Sequence, residues 1–164
     1  MFYTGIGSRS TPITTQVTMS KIAQYLNSIG YTLRSGGADG ADSAFESQAG
    51  TLKEIYLLWK GFNSNNSPFY PPSESAYGIA EKYHPAWHRL SPGAKALMAR
   101  NMHQVLGLNL DSPSDFTVCY TSDGGFSGGT GQALRLCKDL KVPIFNLFHA
   151  DTRLKLKNFL LNMG

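Results

Sequence analysis

Two glycine-rich segments carry residue types that bind anions through the backbone. The first is Ser-Gly-Gly-Ala-Asp-Gly-Ala-Asp at 35–42, and the second is Gly-Gly-Phe-Ser-Gly-Gly-Thr-Gly at 124–131. Glycine lets main-chain N–H groups approach a ligand closely, and a helix that begins after such a loop adds unpaired amides and a partial positive charge. Phosphate is the group that best matches this surface. The two segments therefore predict a site for a nucleotide-like ligand.

A third loop, Gly-Ile-Gly-Ser-Arg-Ser at 5–10, follows the first predicted strand. It lacks the third glycine of a dinucleotide fingerprint, because position 10 is serine. Ser8 and Arg9 have groups that can bind phosphate, although a tight turn with an exposed arginine would explain the same residues. In the 35–42 segment, Asp39 is placed to accept ribose hydroxyls, and Asp42 suits either a ligand or the cap of the following helix.

Strands and helices alternate around these loops. Hydrophobic periodicity and Gly, Pro and Ser punctuation predict strands at 2–6, 31–34, 54–59, 116–120 and 142–147, and helices at 13–29, 41–50, 73–83, 91–108, 129–140 and 151–162. This order predicts an α/β fold, a single domain over residues 1–164 with a doubly wound, mostly parallel sheet and helices on both faces. Residues 61–90 are expected to form an irregular insertion or lid. Loops that leave parallel strands gather at one sheet edge.

Composition narrows the class of protein. With 41% hydrophobic and 16% charged residues the chain is expected to fold, and it shows neither a membrane-spanning apolar run nor a secretory signal. Cys119 and Cys137 are expected to be buried free thiols of a cytoplasmic protein. No metal-ligand spacing is present, and no cofactor is expected. The net charge of +4 without a dense basic block favours a small anion over nucleic acid as partner. A homo-oligomer is also expected.

Four segments together resemble the SLOG superfamily of Rossmann-like proteins, named for the Smf/DprA and LOG families, and within it the YspA/YpsA-type branch. They are GIGSRSTP, LRSGGADGADSAFE, ARNMHQVLG and SGGTGQALRLCKDLKVPIFNL, and the resemblance spans residues 3–147 except for 60–90. It implies a nucleotide pocket at the strand C-termini, with the binding residues Gly7, Ser8, Arg9, Ser35, Gly36, Gly37, Asp39, Asp42, Arg100, Asn101, Gly128, Gly129, Thr130 and Gly131. Trp59, at the end of the third predicted strand, is placed to stack on a base.

One departure from the superfamily bears on catalysis. Phosphoribohydrolase members carry Pro-Gly-Gly-x-Gly-Thr-x-x-Glu, whereas here no proline precedes the glycines and the residues after Gly131 are Gln132, Ala133, Leu134 and Arg135. The preferred hypothesis is therefore binding of a mononucleotide, an ADP-ribose relative or a cyclic nucleotide signal, without turnover. A nucleotide N-glycosidic hydrolase or transferase using Asp39 or Asp42 is the second hypothesis. A DprA-like accessory that binds single-stranded DNA is the third.

Overall fold

The computed structural model describes residues 1–163 and contains one parallel sheet. Its five strands are β1 (Phe2–Gly7), β2 (Thr32–Ser35), β3 (Lys53–Ile55), β4 (Phe116–Tyr120) and β5 (Ile144–Asn146). They lie in the order β3-β2-β1-β4-β5, and each is parallel to its neighbours. Strands β1 and β4 consist mostly of buried residues and lie in the interior of the sheet, as expected for strands that are covered on both faces.

Six α-helices cover the two faces of the sheet. They are α1 (Ile13–Ser28), α2 (Ala41–Glu46), α3 (Glu74–Lys82), α4 (Pro92–Leu106), α5 (Gly128–Asp139) and α6 (Thr152–Met163). Helices α1, α2 and α6 pack on one face against Tyr3, Leu33 and Phe116. Helices α3, α4 and α5 pack on the other against Ile6 and Cys119. The predicted doubly wound α/β fold is confirmed.

The strand order reverses direction between β1 and β4. From β1 the chain continues outward through β2 and β3 with α1 and α2 on one face, and from β4 it continues to β5 through α5 on the opposite face. The register pairs Gly7 with Tyr120 at the carboxyl ends of the two strands. Helices diverge at such a switch point and leave a crevice there, which is where open α/β sheets bind ligands.

Most element boundaries agree with the sequence, but the second helix and the third strand are shorter than predicted, and the helix predicted at 41–50 ends at Glu46. The predicted strand at 54–59 ends at Ile55. The amide of Tyr56 still donates to the carbonyl of Ser35, the last residue of β2, after which β2 offers no further partner, and the amide of Leu57 donates to Phe69 instead. The prediction that Trp59 ends a strand is therefore wrong: Trp59 lies in the following turn and is 59% exposed.

Residues 61–90, predicted as an irregular insertion or lid that includes the helix at 73–83, are attached to the rest of the domain by side-chain hydrogen bonds. They contain α3 and two short 3₁₀ turns, Phe62–Ser64 and Trp87–Arg89. Asn63 donates to the carbonyl of Gly37 at 2.9 Å, and Asn65 donates to the carboxylate of Glu46. These side-chain amides fasten the segment to the loop that follows β2 and to α2.

Other features are reported for residues 1–163 alone. No helix there is long and apolar enough to cross a bilayer, and no group of three or more His, Cys, Asp or Glu side chains is arranged to hold a metal ion. Cys119 and Cys137 are both buried and free, as predicted. Burial raises the pKa of both thiols, so they stay protonated at neutral pH.

Gly40 provides a test of how tightly the first two loops pack. Its φ is +78°, and a Cβ at this position would lie 2.5 Å from the carbonyl oxygen of Arg9. Gly40→Ala is expected to lower the free energy of unfolding by about 3 kcal/mol, from backbone strain and steric overlap together. Chemical denaturation measures the loss. Gly30→Ala is the control, because Gly30 has a φ of +88° and nothing within 4 Å of its Cβ position. An equal loss in both variants would contradict tight packing of the loops.

Candidate functional site

A cavity of about 500 Å³ lies at the carboxyl ends of β1 and β4, and we call it the switch-point cavity. Its walls come from the loops after β1, β2 and β4, from one face of α4 and from the start of α5. Its lining residues are Ile6, Gly7, Ser8, Arg9, Ala38, Asp42, Leu97, Met98, Arg100, Asn101, Gln104, Tyr120, Thr121, Ser122, Ser127, Gly128, Gly129 and Thr130. A cavity of this size fits the range of small-ligand sites, about 300–1,000 Å³.

Close backbone packing brings the loops together. The amide of Ser8 donates to the carbonyl of Tyr120 at 3.2 Å, and the amide of Ala41 donates to the carbonyl of Ser8 at 3.4 Å. A Cβ on Gly7 would lie 2.7 Å from the Cβ of Ala41. Glycine at position 7 therefore allows the first strand-exit loop to touch α2 and β4 at the same time.

The amino end of α5 opens toward the cavity without a side-chain cap. Ser127 occupies the N-cap position in an extended conformation but caps nothing, because its hydroxyl donates instead to Asp123 at 2.8 Å. The first backbone bond of the helix runs from Gly131 to the carbonyl of Ser127. The preceding amides of 128–130 have no helical acceptor by geometry, and they belong to residues that line the cavity.

Arg100 lies within the cavity wall and is 5% exposed. Its Nη1 donates to the carbonyl oxygens of Gly36 and Tyr56, while its Nε is buried without a hydrogen-bond partner among residues 1–163. Burial lowers the pKa of the guanidinium, Asp42 opposes this change, and the charge of Arg9 adds to it. The site thus holds a buried cation with hydrogen-bonding capacity to spare.

Asp42 is the acidic side chain of the cavity and is 4% exposed. Its carboxylate accepts a hydrogen bond from the amide of Ala38 at 3.3 Å. Burial raises the pKa of Asp42 to about 6, although the nearby charge of Arg100 and the Ala38 amide lower the pKa. A buried carboxyl group that titrates near neutral pH in a cleft is typical of functional sites.

Two amide side chains complete the α4 wall. Asn101 donates to the carbonyl of Gly129 at 3.0 Å and to the side-chain oxygen of Gln132 at 3.3 Å, so it fixes the start of α5 against α4. Gln104 is 2% exposed and lines the cavity beside Arg100. A Cβ on Gly36 would overlap the ends of both Gln104 and Arg100, which explains glycine at position 36.

The structure brings nine of the predicted site residues together in the cavity wall: Gly7, Ser8, Arg9, Asp42, Arg100, Asn101, Gly128, Gly129 and Thr130. Six others lie outside it. Ser35 and Gly36 make contacts just outside it: the hydroxyl of Ser35 donates to the carbonyl of Gly5, and the carbonyl of Gly36 accepts a hydrogen bond from Arg100. Gly37 and Asp39 accept hydrogen bonds from Asn63, and Gly131 packs against the carbonyl of Phe126. Trp59 packs edge-on against Phe62.

Sequence reasoning missed several lining residues that a regular pattern marks. Leu97, Arg100, Asn101 and Gln104 are spaced as one face of α4, so the Arg-Asn pair predicts its neighbours one turn away on either side. Thr121 and Ser122 directly follow β4 and occupy the same position as the Ser8-Arg9 pair after β1. Ala38 and Met98 carry no comparable sequence signal, because small and apolar residues are common in any core.

Comparison with solved structures shows a similar fold in DNA processing protein A from Helicobacter pylori, for which a single-stranded DNA binding mode is described. The TM-score is 0.58 and the sequence identity is 18%, over 89% of this chain and 64% of that one. The chain therefore spans less than two thirds of that protein. No protein-family model and no curated protein sequence matches the chain. The α/β fold implied by the resemblance to the Smf/DprA and LOG families is confirmed.

The raised pKa of Asp42 makes stability depend on pH in a defined direction. The unfolded carboxyl ionises near pH 3.8 and the folded one near pH 6, so between these values the folded state binds more protons and its stability falls as pH rises. Relative to Asp42→Asn, the wild-type protein is expected to lose up to about 3 kcal/mol of unfolding free energy across this window. Urea denaturation of both proteins from pH 4 to pH 7 measures the difference. Parallel pH profiles would contradict the raised pKa.

Proposed function

We propose that the protein binds a phosphate-bearing nucleotide or nucleotide derivative in the switch-point cavity. Backbone amides at the start of α5 and in the loop after β1 hold the phosphate, and Arg9 and Arg100 supply positive charge. The observation that carries the proposal is the buried guanidinium of Arg100 in the cavity wall, because its Nε has no hydrogen-bond partner among residues 1–163. A bound anion would offset the cost of burying this incompletely paired cation.

A second buried arginine shows what a purely structural guanidinium looks like in this protein. Arg34 is 2% exposed, and its Nε pairs with Glu54 at 3.2 Å. Its Nη groups donate to the carbonyls of Val105 and Ser112 and to the hydroxyls of Ser112 and Ser114. Arg34 therefore needs no ligand. Arg100 is equally buried, yet both of its hydrogen bonds within residues 1–163 come from a single nitrogen.

The charges around the cavity also favour an anion. The cavity wall contains two arginines, Arg9 and Arg100, and one carboxyl group, that of Asp42, which is half protonated near pH 6. The uncapped α5 adds its partial positive charge from the opposite wall. Because the guanidinium of Arg100 is shielded from solvent, its attraction for phosphate is stronger than that of a surface group.

The volume of about 500 Å³ accommodates a mononucleotide, an ADP-ribose-type ligand or a cyclic nucleotide. We also propose that the chain belongs to the YspA/YpsA-type branch and that residues 1–164 form a single nucleotide-binding domain. Buried free cysteines fit a reducing compartment, so we place its action in the cytoplasm. A homo-oligomer remains a prediction; the exposed apolar residues of α1, such as Ile13 and Val17, are consistent with one.

A hydrolase acting on the N-glycosidic bond of a nucleotide is a second candidate, and Asp42 is the observation that favours it. This carboxyl group lines the cavity and has a pKa of about 6, which suits a general acid or base near neutral pH. Asp39 is exposed and lies outside the cavity. Gln132 and its neighbours stand where the phosphoribohydrolase signature has its glutamate, and Gln132 is fully buried. Release of free base from nucleotides, abolished by Asp42→Asn, would establish this activity.

Single-stranded DNA binding is a third candidate, favoured by the fold similarity to DNA processing protein A. It predicts affinity for oligonucleotides that falls steeply with salt, because each neutralised phosphate releases counterions. The affinity for a mononucleotide held in a cavity depends much less on the salt concentration, because fewer phosphates are neutralised. Titrations of an oligonucleotide and of its mononucleotide at two salt concentrations separate the two cases.

A charge placed at Gly129 tests the proposed phosphate position. Gly129 is the second residue of α5, and a Cβ there would contact only Met98, at 3.5 Å. Gly129→Asp is expected to fold, since a carboxylate at a helix start stabilises it by about 0.3–1 kcal/mol. It should nevertheless lose nucleotide binding at least tenfold, because the carboxylate occupies and repels the phosphate position. Thermal shift against a nucleotide panel measures the effect, since a ligand at a hundred times its Kd adds about 2.7 kcal/mol.

The matched control is Gly129→Asn, which has the same shape without the charge. It should bind nucleotides more tightly than Gly129→Asp. Equal binding by wild type, Gly129→Asn and Gly129→Asp would show that phosphate does not bind at α5 and would overturn the proposal.

A further inference from the structure

A second cavity, of about 260 Å³, shares Arg100 with the switch-point cavity. We call it the aromatic cavity. Its wall is formed by Tyr56 and Leu57 after β3, by the Pro-Phe-Tyr-Pro-Pro stretch at 68–72, by His103 near the end of α4, and by Leu108, which follows that helix. Nothing in the proposed phosphate site accounts for this cavity.

Two polar side chains in the wall of the aromatic cavity, Tyr56 and His103, already have hydrogen-bond partners. The phenol of Tyr56 donates to Glu54 at 2.6 Å. The Nε2 of His103 accepts the amide of Ser73 at 3.2 Å, and its Nδ1 contacts the carbonyl of Gly107 at 3.1 Å. Its ring lies parallel to that of Tyr56, 5.4 Å away. The wall therefore consists mainly of aromatic rings and prolines, with Arg100 as its charged residue.

Such a lining selects a flat, weakly polar group that carries hydrogen-bond acceptors. Tyr70, 37% exposed, and Leu108, 54% exposed, are accessible apolar side chains of its wall, whereas Tyr56 is 3% exposed. A volume of 260 Å³ lies below the range of whole-ligand pockets, about 300–1,000 Å³, so the cavity suits one part of a ligand. A nucleobase has the required ring faces for stacking and acceptors for Arg100.

We propose that the aromatic cavity binds the base of the same nucleotide whose phosphate occupies the switch-point cavity. This inference rests on the proposed function. Arg100 is the structural link, because it lines both cavities and its Nε has no hydrogen-bond partner among the described residues 1–163. A ligand with a phosphate on one part and a base on another would engage Arg100 from both cavities, and neither part alone would fill the site.

The test compares nucleoside monophosphates of the four common bases with ribose 5-phosphate, which lacks a base. Calorimetry, with competition for weak ligands, gives each Kd for the wild type and for Tyr70→Ala. The wild type is expected to bind at least one nucleotide about tenfold or more tightly than ribose 5-phosphate. Tyr70→Ala should remove most of this preference and leave the Kd of ribose 5-phosphate unchanged.

Two further variants keep the result interpretable. Trp59→Ala is the matched control, because Trp59 is an exposed aromatic residue of the neighbouring turn that lies outside the aromatic cavity, and it should retain the full preference. Leu108→Ala alters a second exposed wall residue in a different part of the chain, so a weaker preference in it argues against local misfolding around Tyr70.

The outcomes distinguish this inference from the proposed function. If nucleotides and ribose 5-phosphate bind the wild type equally, or if Tyr70→Ala weakens both alike, the aromatic cavity does not hold the base and this inference is overturned. If neither class of compound binds at all, the proposed function fails together with it.

Discussion

The buried guanidinium of Arg100 is the contact on which the site depends. Its bonds to Gly36 and Tyr56 join α4 to the chain leaving β2 and β3, at a place where glycine alone leaves room for the arginine. A buried cation is costly unless its donors are paired. Arg34 meets this requirement through protein acceptors, whereas the Nε of Arg100 has no acceptor in the part of the chain that the structure describes. We interpret the difference as the mark of a binding residue rather than of a structural one.

The glycine loops serve that site in different ways. Gly7 and Gly40 bring backbone segments into contact, so substitution there disturbs packing before it disturbs any ligand. Gly128 and Gly129, by contrast, face open space or a single methionine at the start of an uncapped helix. The serine that would ordinarily close that helix start is held by Asp123. Amides that a cap would satisfy in another helix remain available here.

The sequence predicted the fold and a large part of the cavity because both depend on local signals. The alternation of strands and helices predicted a parallel sheet, and the glycine loops that follow strands indicated the edge where the carboxyl ends of the strands meet. The extent of β3 was not predictable, since it depends on where β2 stops offering partners and on the distant pairing of Leu57 with Phe69. Burial of Arg100 and Asn101 was also hidden, because both types are common on helix surfaces. Only packing of α4 against the sheet shows that they point inward.

The most direct test of the account is an NMR titration of ¹⁵N-labelled protein with a nucleoside monophosphate. The Arg100 Nε–H resonance and the amides of 128–130 report separately on the unpartnered donor and on the open helix end. Our account predicts that both sets of signals shift together at one Kd, while the Arg34 Nε–H, already bound to Glu54, stays unchanged. Binding that shifts exposed basic residues and leaves the Arg100 and α5 signals in place would contradict it.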